Sequence, residues 1–318
     1  MTTTDSNARI PVLVLCPLQQ QHVRQIAGLF DIVYAPTPAE RAQAIAQQGA
    51  RFRCVLSIGT IGLTADEIAA MPALELVCAL GVGYETIDVA AAKARGLVVA
   101  NGAGTNDACV ADHAFGLLLA AVRGLVVLDR GTRQGLWRDQ MTAYTPTVGG
   151  KRLGILGMGM IGRQLARRAE GFDMQVAYHS RSAKPDLSYQ RFDTLLELAQ
   201  WADFLVVATP GGAETKHMVN AAVIDALGPQ GALVNIARGS VVDTAALASA
   251  LREGRLGCAG IDVYESEPER PRELVELDNV VITPHVAGRS PEAMQASVDR
   301  FVENAQGHFS GRGVVTPI

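Results

Sequence analysis

Arginine, glutamate and histidine stand at three comparable places in the second half of this sequence, each just past an apolar run. They are Arg238 in "NIARGSVVD", Glu267 in "AGIDVYESEPERP" and His285 in "DNVVITPHVAGRS". Arg238 can hold a carboxylate with its fork of donors and polarise a neighbouring carbonyl. A protonated His285 can give its proton to the carbonyl oxygen as hydride reaches the carbon. Glu267, bonded to the other ring nitrogen, would raise the histidine pKa and fix its orientation. The chemistry such a trio would suit is reduction of a 2-oxo acid, with the same histidine as base in reverse. Each residue alone has a plain reading: a capping arginine, a loop carboxylate, a surface histidine.

What groups them is the position of the strands. Val280, Val281, Ile282 and Thr283 read as a buried strand that Pro284 must end, since proline cannot donate to a sheet ladder. Residues 232–236 and the "CAGIDVYE" run read the same way, so three strands deliver the trio to one edge of a single sheet. Open α/β sheets bind ligands at that edge.

The same half holds "RLGILGMGMIGRQLARRAEGF". Gly157, Gly159 and Gly162 follow a strand and open a helix. Gly157 permits the tight turn, Gly159 admits a pyrophosphate to the backbone, and Gly162 lets helix and strand pack closely. Free N–H groups at the helix start favour that anion. After the next strand, His179 stands where an NAD site usually has an acidic residue, and Ser180, Arg181, Ser182 and Lys184 follow. Arginine and hydroxyls can bind a 2′-phosphate that an acid would repel, so NADP is the expected cofactor, with NAD possible. A solvated basic loop is the alternative.

The first third alternates short strands ("VLVLC", "DIVYA", "CVLSIG", "ELVCALG", "LVVAN") with helical stretches, one opened by a Thr64/Glu67 capping box. The rhythm predicts an α/β protein of two doubly wound parallel-sheet domains. The second is a Rossmann dinucleotide-binding domain, residues 103–287, inserted into the first, residues 1–102 and 288–318. A helix over about residues 107–130, apolar nearly all round, is expected at an interface between domains or subunits. A last helix from Pro291 to Phe309 could pack back on the first domain.

Composition excludes several roles. With 318 residues, 48% hydrophobic and a net charge of −4, the chain has no basic footprint for nucleic acid or an anionic membrane. "MTTTDSNARI" lacks the apolar core of a signal peptide, and no stretch suits a bilayer. Cys16, Cys54, Cys78, Cys109 and Cys258 show no CxxC spacing, which suits free thiols in a reducing cytoplasm and no metal.

Five blocks in order, "GVGYETID", "GMGMIG", "NIARGSVVD", "IDVYESEP" and "ITPHVAG", resemble the D-isomer-specific 2-hydroxyacid dehydrogenases over essentially the whole chain. Within that family, "HSRS" and the short C-terminus are most similar to NADPH-preferring glyoxylate/hydroxypyruvate reductases, including the hydroxyphenylpyruvate type. The resemblance implies that Arg238, Glu267 and His285 are the catalytic residues. It implies that Val82 and Gly83 offer N–H groups to the substrate carboxylate, with Ile58 and Gly59 as pocket neighbours. Gly157, Met158, Gly159, Met160, Ile161 and Gly162, with Ser180, Arg181 and Ser182, would bind the dinucleotide phosphates. Thr209 and Pro210 would flank the adenosine half, and Ile236, Ala237 and Asp262 the nicotinamide half, Asp262 accepting from the carboxamide, with Ala287 a further cofactor-binding residue. A homodimer built on the long helix is expected.

Three features depart from the family pattern. Met160 replaces a usual arginine or lysine, Glu85 a usual aspartate, and "WRDQMTAYTPTV" matches poorly. His113 and His217, without comparable company, read as structural. An NAD-dependent enzyme of another substrate such as 3-phosphoglycerate fits less well, since no regulatory domain follows Ile318. Formate dehydrogenases carry glutamine where this chain has Glu267. A dinucleotide-sensing binding protein on the same scaffold is the alternative from another class.

Overall fold

The fold is described from a computed structural model covering residues 9–141 and 145–318. The chain forms two compact units, one from the chain up to Asn106 together with Arg289–Ile318, the other from Asp107–Gly288.

The first unit runs β1 (Pro11–Val14), α1 (Gln20–Leu29), β2 (Asp31–Tyr34), α2 (Pro38–Gln48) and β3 (Cys54–Ser57). Then come α3 (Ala65–Ala69), β4 (Leu76–Ala79), α4 (Val89–Ala94) and β5 (Val98–Ala100). The strands pair in parallel in the order β2-β1-β3-β4-β5. β3 and β4 are buried at every residue, which is why they read as unbroken apolar runs. The Thr64/Glu67 capping box starts α3, and a second box, Thr37 with Glu40, starts α2. On one face of this sheet the core includes Val298, Phe301 and Ala305 from the C-terminal helix Pro291–Phe309.

The second unit begins with α5 (Asp107–Val122) and α6 (Leu125–Arg133). After them come β6 (Arg152–Leu156), α7 (Met160–Glu170), β7 (Gln175–His179), β8 (Gln190–Arg191), α8 (Leu195–Trp201) and β9 (Phe204–Val207). It ends with α9 (Ala221–Leu227), β10 (Ala232–Asn235), α10 (Thr244–Arg252), β11 (Cys258–Ile261) and β12 (Val280–Ile282). All seven strands are parallel, in the order β12-β11-β10-β9-β6-β7-β8. The winding reverses between β6 and β9, and a ligand crevice opens at such a switch point.

One expectation changes here. The long helix is broken: Gly124 adopts φ +60°, and α5 and α6 are bent by 62°. Most of α5's apolar surface serves the core of its own unit, with Val110, Ala114, Phe115 and Leu118 buried beside Leu153, Ile155 and Val234. Burial in one sheet's core explains its apolarity without an interface. Leu125 and Val126 of α6 stay half exposed. All five cysteines are free, three buried and two half-buried. Among the described residues no single helix is long and apolar enough to cross a membrane.

α5 lies so close to the sheet that a Cβ on Gly260 of β11 would come 2.8 Å from the Leu117 Cβ. Gly260→Val is therefore expected to cost about 2 kcal/mol or more. A urea-unfolding midpoint equal to that of the parent would contradict this packing.

Candidate active site

His285 is set by the segment just past β12. Its backbone sits at φ +54°, a left-handed conformation that costs a non-glycine residue about 1 kcal/mol or more. The chain holds it there. The His285 N–H donates to Asp262 O at 2.8 Å. The Asp262 carboxylate, 1% exposed, accepts from Thr283 Oγ1 (2.6 Å), the Val286 N–H (3.0 Å) and the Ala287 N–H (2.9 Å). His113 Nε2 lies 2.9 Å from Thr283 Oγ1. The single hydroxyl proton of Thr283 goes to Asp262, so His113 is the donor in that contact.

The His285 imidazole then meets Glu267. Nδ1 lies 2.7 Å from Glu267 Oε2, and the other oxygen accepts from the Tyr264 N–H at 2.8 Å. A carboxylate here takes an Nδ1 proton, which leaves Nε2 for a reacting oxygen. The hydrogen bond to Glu267 raises the His285 pKa above the usual histidine range. Burial and the charge of Arg238 oppose that rise, and Asp262 adds to it.

Arg238 follows β10, where the buried Asn235 shapes the turn. Asn235 Oδ1 accepts from the Ala237 N–H at 3.1 Å, and Nδ2 donates to Arg238 O at 3.1 Å. Arg238 Nη1 donates to Ala237 O at 2.6 Å, and its stem lies where a Cβ on Gly211 would intrude at 2.7 Å. The turn presses on the Glu267 loop, since a Cβ on Gly239 would come 2.1 Å from the Tyr264 carbonyl carbon. His217, at φ +51°, also straps these loops together. Its N–H donates to Ser240 O at 2.8 Å and its Nε2 lies 2.7 Å from Glu265 Oε1. Both histidines read as structural therefore sit in the frame of the trio, and His217 does have a carboxylate partner.

At the switch point the phosphate loop has the shape a pyrophosphate needs. Gly157 adopts φ +99°, and a Cβ there would come 2.7 Å from Ala208 O. A Cβ on Gly162 would come 2.3 Å from Gly157 O, whereas nothing lies within 4 Å of one on Gly159. Gly159 caps α7 with no side-chain hydrogen bond. Met158 is buried, Ile161 packs against the core and Met160 is exposed. These features fit a dinucleotide phosphate held by backbone N–H groups.

Beyond β7, His179 turns its Nδ1 to Phe192 O at 3.0 Å, while Ser180 is half-buried and Arg181 and Ser182 are exposed. Arg181 lies 3.4 Å from Glu214. Thr209 and Pro210 follow β9. Ile236, Ala237 and Ala287 are buried close to the ends of β10 and β12. In the first unit, Ile58 with Gly59 and Val82 with Gly83 follow β3 and β4. These two loops touch, since a Cβ on Gly59 would come 2.6 Å from the Gly83 carbonyl carbon. Val82 O accepts from Asn101 Nδ2 at 2.8 Å. Residues 142–144 of the poorly matching segment lie outside the described residues.

Comparison with known proteins agrees with this geometry. Residues 115–287 match the family model described as D-isomer specific 2-hydroxyacid dehydrogenase, NAD binding domain. Over 97% of its length the chain is 41% identical to hydroxyphenylpyruvate reductase of Plectranthus scutellarioides, covering 99% of that protein. It is 40% identical to glyoxylate/hydroxypyruvate reductase A of Arabidopsis thaliana, with 97% and 99% covered. The crystal structure of an NADPH-dependent glyoxylate/hydroxypyruvate reductase from Sinorhizobium meliloti, in complex with NADP and malonate, superposes with a TM-score of 0.89. That protein is 37% identical, with 98% of this chain and 97% of that one covered. The chain belongs to the D-isomer specific 2-hydroxyacid dehydrogenase family.

Proposed function

We propose that the chain reduces a small 2-oxo acid to its D-2-hydroxy acid, using NADPH and admitting NADH. The observation that carries this is the 2.7 Å pair of His285 and Glu267, which with Arg238 follows the ends of three neighbouring strands of the sheet that holds the phosphate loop. NADPH, when bound, supplies the hydride. Arg238 holds the substrate carboxylate and draws electron density from the 2-oxo group. His285 Nε2 gives its proton to the oxygen of that group as the carbon is reduced, and the hydroxy acid leaves with the proton. Glu267 keeps the imidazole oriented and charged until then. A proton is regained from solvent before the next turnover.

Glyoxylate, hydroxypyruvate and an aryl-pyruvate are the candidate substrates. The named activities of the relatives favour these over 3-phosphoglycerate. Val82, Gly83, Ile58 and Gly59 would contribute backbone and pocket surface to the acid. Gly157, Met158, Gly159, Met160, Ile161 and Gly162 would take the pyrophosphate. Ser180, Arg181 and Ser182 would take the 2′-phosphate, Thr209 and Pro210 the adenosine, and Ile236, Ala237, Asp262 and Ala287 the nicotinamide half. A homodimer is proposed through the exposed Leu125 and Val126 of α6, and the free thiols suit a reducing cytoplasm.

His285→Asn removes the proton donor and is expected to lower kcat by about 100- to 10,000-fold while NADPH still binds. Steady-state rates and a fluorescence titration would show this, and near-parent turnover would sink the proposal. The raised His285 pKa means that the imidazolium persists above the ordinary histidine range, so kcat/KM for reduction should fall only as pH rises through the raised value. In Glu267→Gln the raising partner is gone, and the alkaline limb should move to lower pH. A profile that does not move would contradict the assigned roles.

A further inference from the structure

The loop offered to the 2′-phosphate is fastened in part by residues other than those that would touch the phosphate. It leaves β7 at Ser180 and is folded back by a turn through Lys184, Pro185, Asp186 and Leu187, closed by the Leu187 N–H donating to Lys184 O at 3.0 Å. Pro185 presets the φ that the second position of such a turn requires. Beneath it, the buried Tyr178 hydroxyl accepts from the Lys184 N–H at 2.9 Å. Within it, Ser180 Oγ donates to Ser182 O at 2.8 Å and Lys184 Nζ to Ser182 Oγ at 3.3 Å.

The turn sets Asp186 against α7, where Arg163 meets both carboxylate oxygens, at 2.6 and 3.1 Å. Arg163 lies in the first turn of α7, directly after Gly162 of the phosphate loop. A bare guanidinium there opposes the helix dipole and would draw phosphate to itself. The hydrogen bond to Asp186 favours both charged forms, holding the Asp186 carboxyl below its usual range and the guanidinium above its own. Both side chains are partly in water, so the pair adds little to global stability. Its bidentate geometry fixes direction more than it adds energy.

We propose that Arg163 and Asp186 are positioning residues for cofactor choice. Their pair ties the helix that holds the pyrophosphate to the loop that reads the 2′-phosphate, and so sets the spacing of the two subsites. This rests on the NADPH reading above.

The test is kcat and KM for NADPH and NADH, with hydroxypyruvate saturating, in the full-length parent, R163Q, D186N and the double variant. R181A is run beside them as a probe of the NADPH reading itself, and Tm is measured for all. Each clamp variant should raise KM for NADPH about fivefold, with kcat, the NADH constants and Tm unchanged. The double variant should be no worse than either single one. If R181A erodes the NADPH preference while the clamp variants keep it, the clamp inference is wrong and the NADPH reading stands. If the parent itself shows no preference for NADPH, the NADPH reading falls and the inference with it. Equal losses with both cofactors would mean a merely structural pair. Tighter NADPH binding in D186N would mean that Asp186 acts only as a competing charge. Either result overturns the proposal.

Discussion

The Asp262 carboxylate governs the catalytic edge of this protein. It is buried, and an ionised group taken from water without donors costs several kcal/mol. Thr283 Oγ1 and the N–H groups of Val286 and Ala287 supply those donors, and all three belong to the segment that carries His285. Satisfying one carboxylate thus specifies the path of the chain on both sides of the histidine. It also explains how His285 is kept in a left-handed backbone that a free loop would seldom populate. The nicotinamide role that the resemblance suggested for Asp262 comes in addition to this one.

The rest of the edge follows from parallel strands. β10, β11 and β12 are neighbours in register, so the residues after each emerge side by side. Arg238, Glu267 and His285 meet because three successive strands end at one level. Small residues then allow the loops to close in. Gly239 admits the Tyr264 backbone and Gly211 admits the stem of Arg238. The phosphate loop uses the same economy of volume at the β6/β9 switch, where Gly157 and Gly162 leave no room for a side chain.

Much of this was legible in the residues. β-branched runs marked the buried strands, and the glycine spacing marked the phosphate loop. The Arg238, Glu267 and His285 pattern marked the edge because each residue lies just past a strand. Other features carried no local signal. The apolar periodicity of α5 continues past Gly124, and only the three-dimensional turn shows that the helix bends there. β8 is two residues long, too short for alternation to register. The jobs of Asp262, His113 and His217 depend on partners 21 to 170 residues away, which spacing alone cannot pair. Glu265, for instance, joins His217 only in the folded chain.

Proton delivery by His285 in step with reduction is most directly tested by single-turnover reduction of hydroxypyruvate with saturating NADPH, in light and heavy water, followed by cofactor absorbance. Rapid NADPH oxidation, slowed in heavy water in the parent and nearly abolished in His285→Asn, is the predicted result. Oxidation at parental rate in that variant, or no oxidation by the parent with any of the three acids, would contradict it.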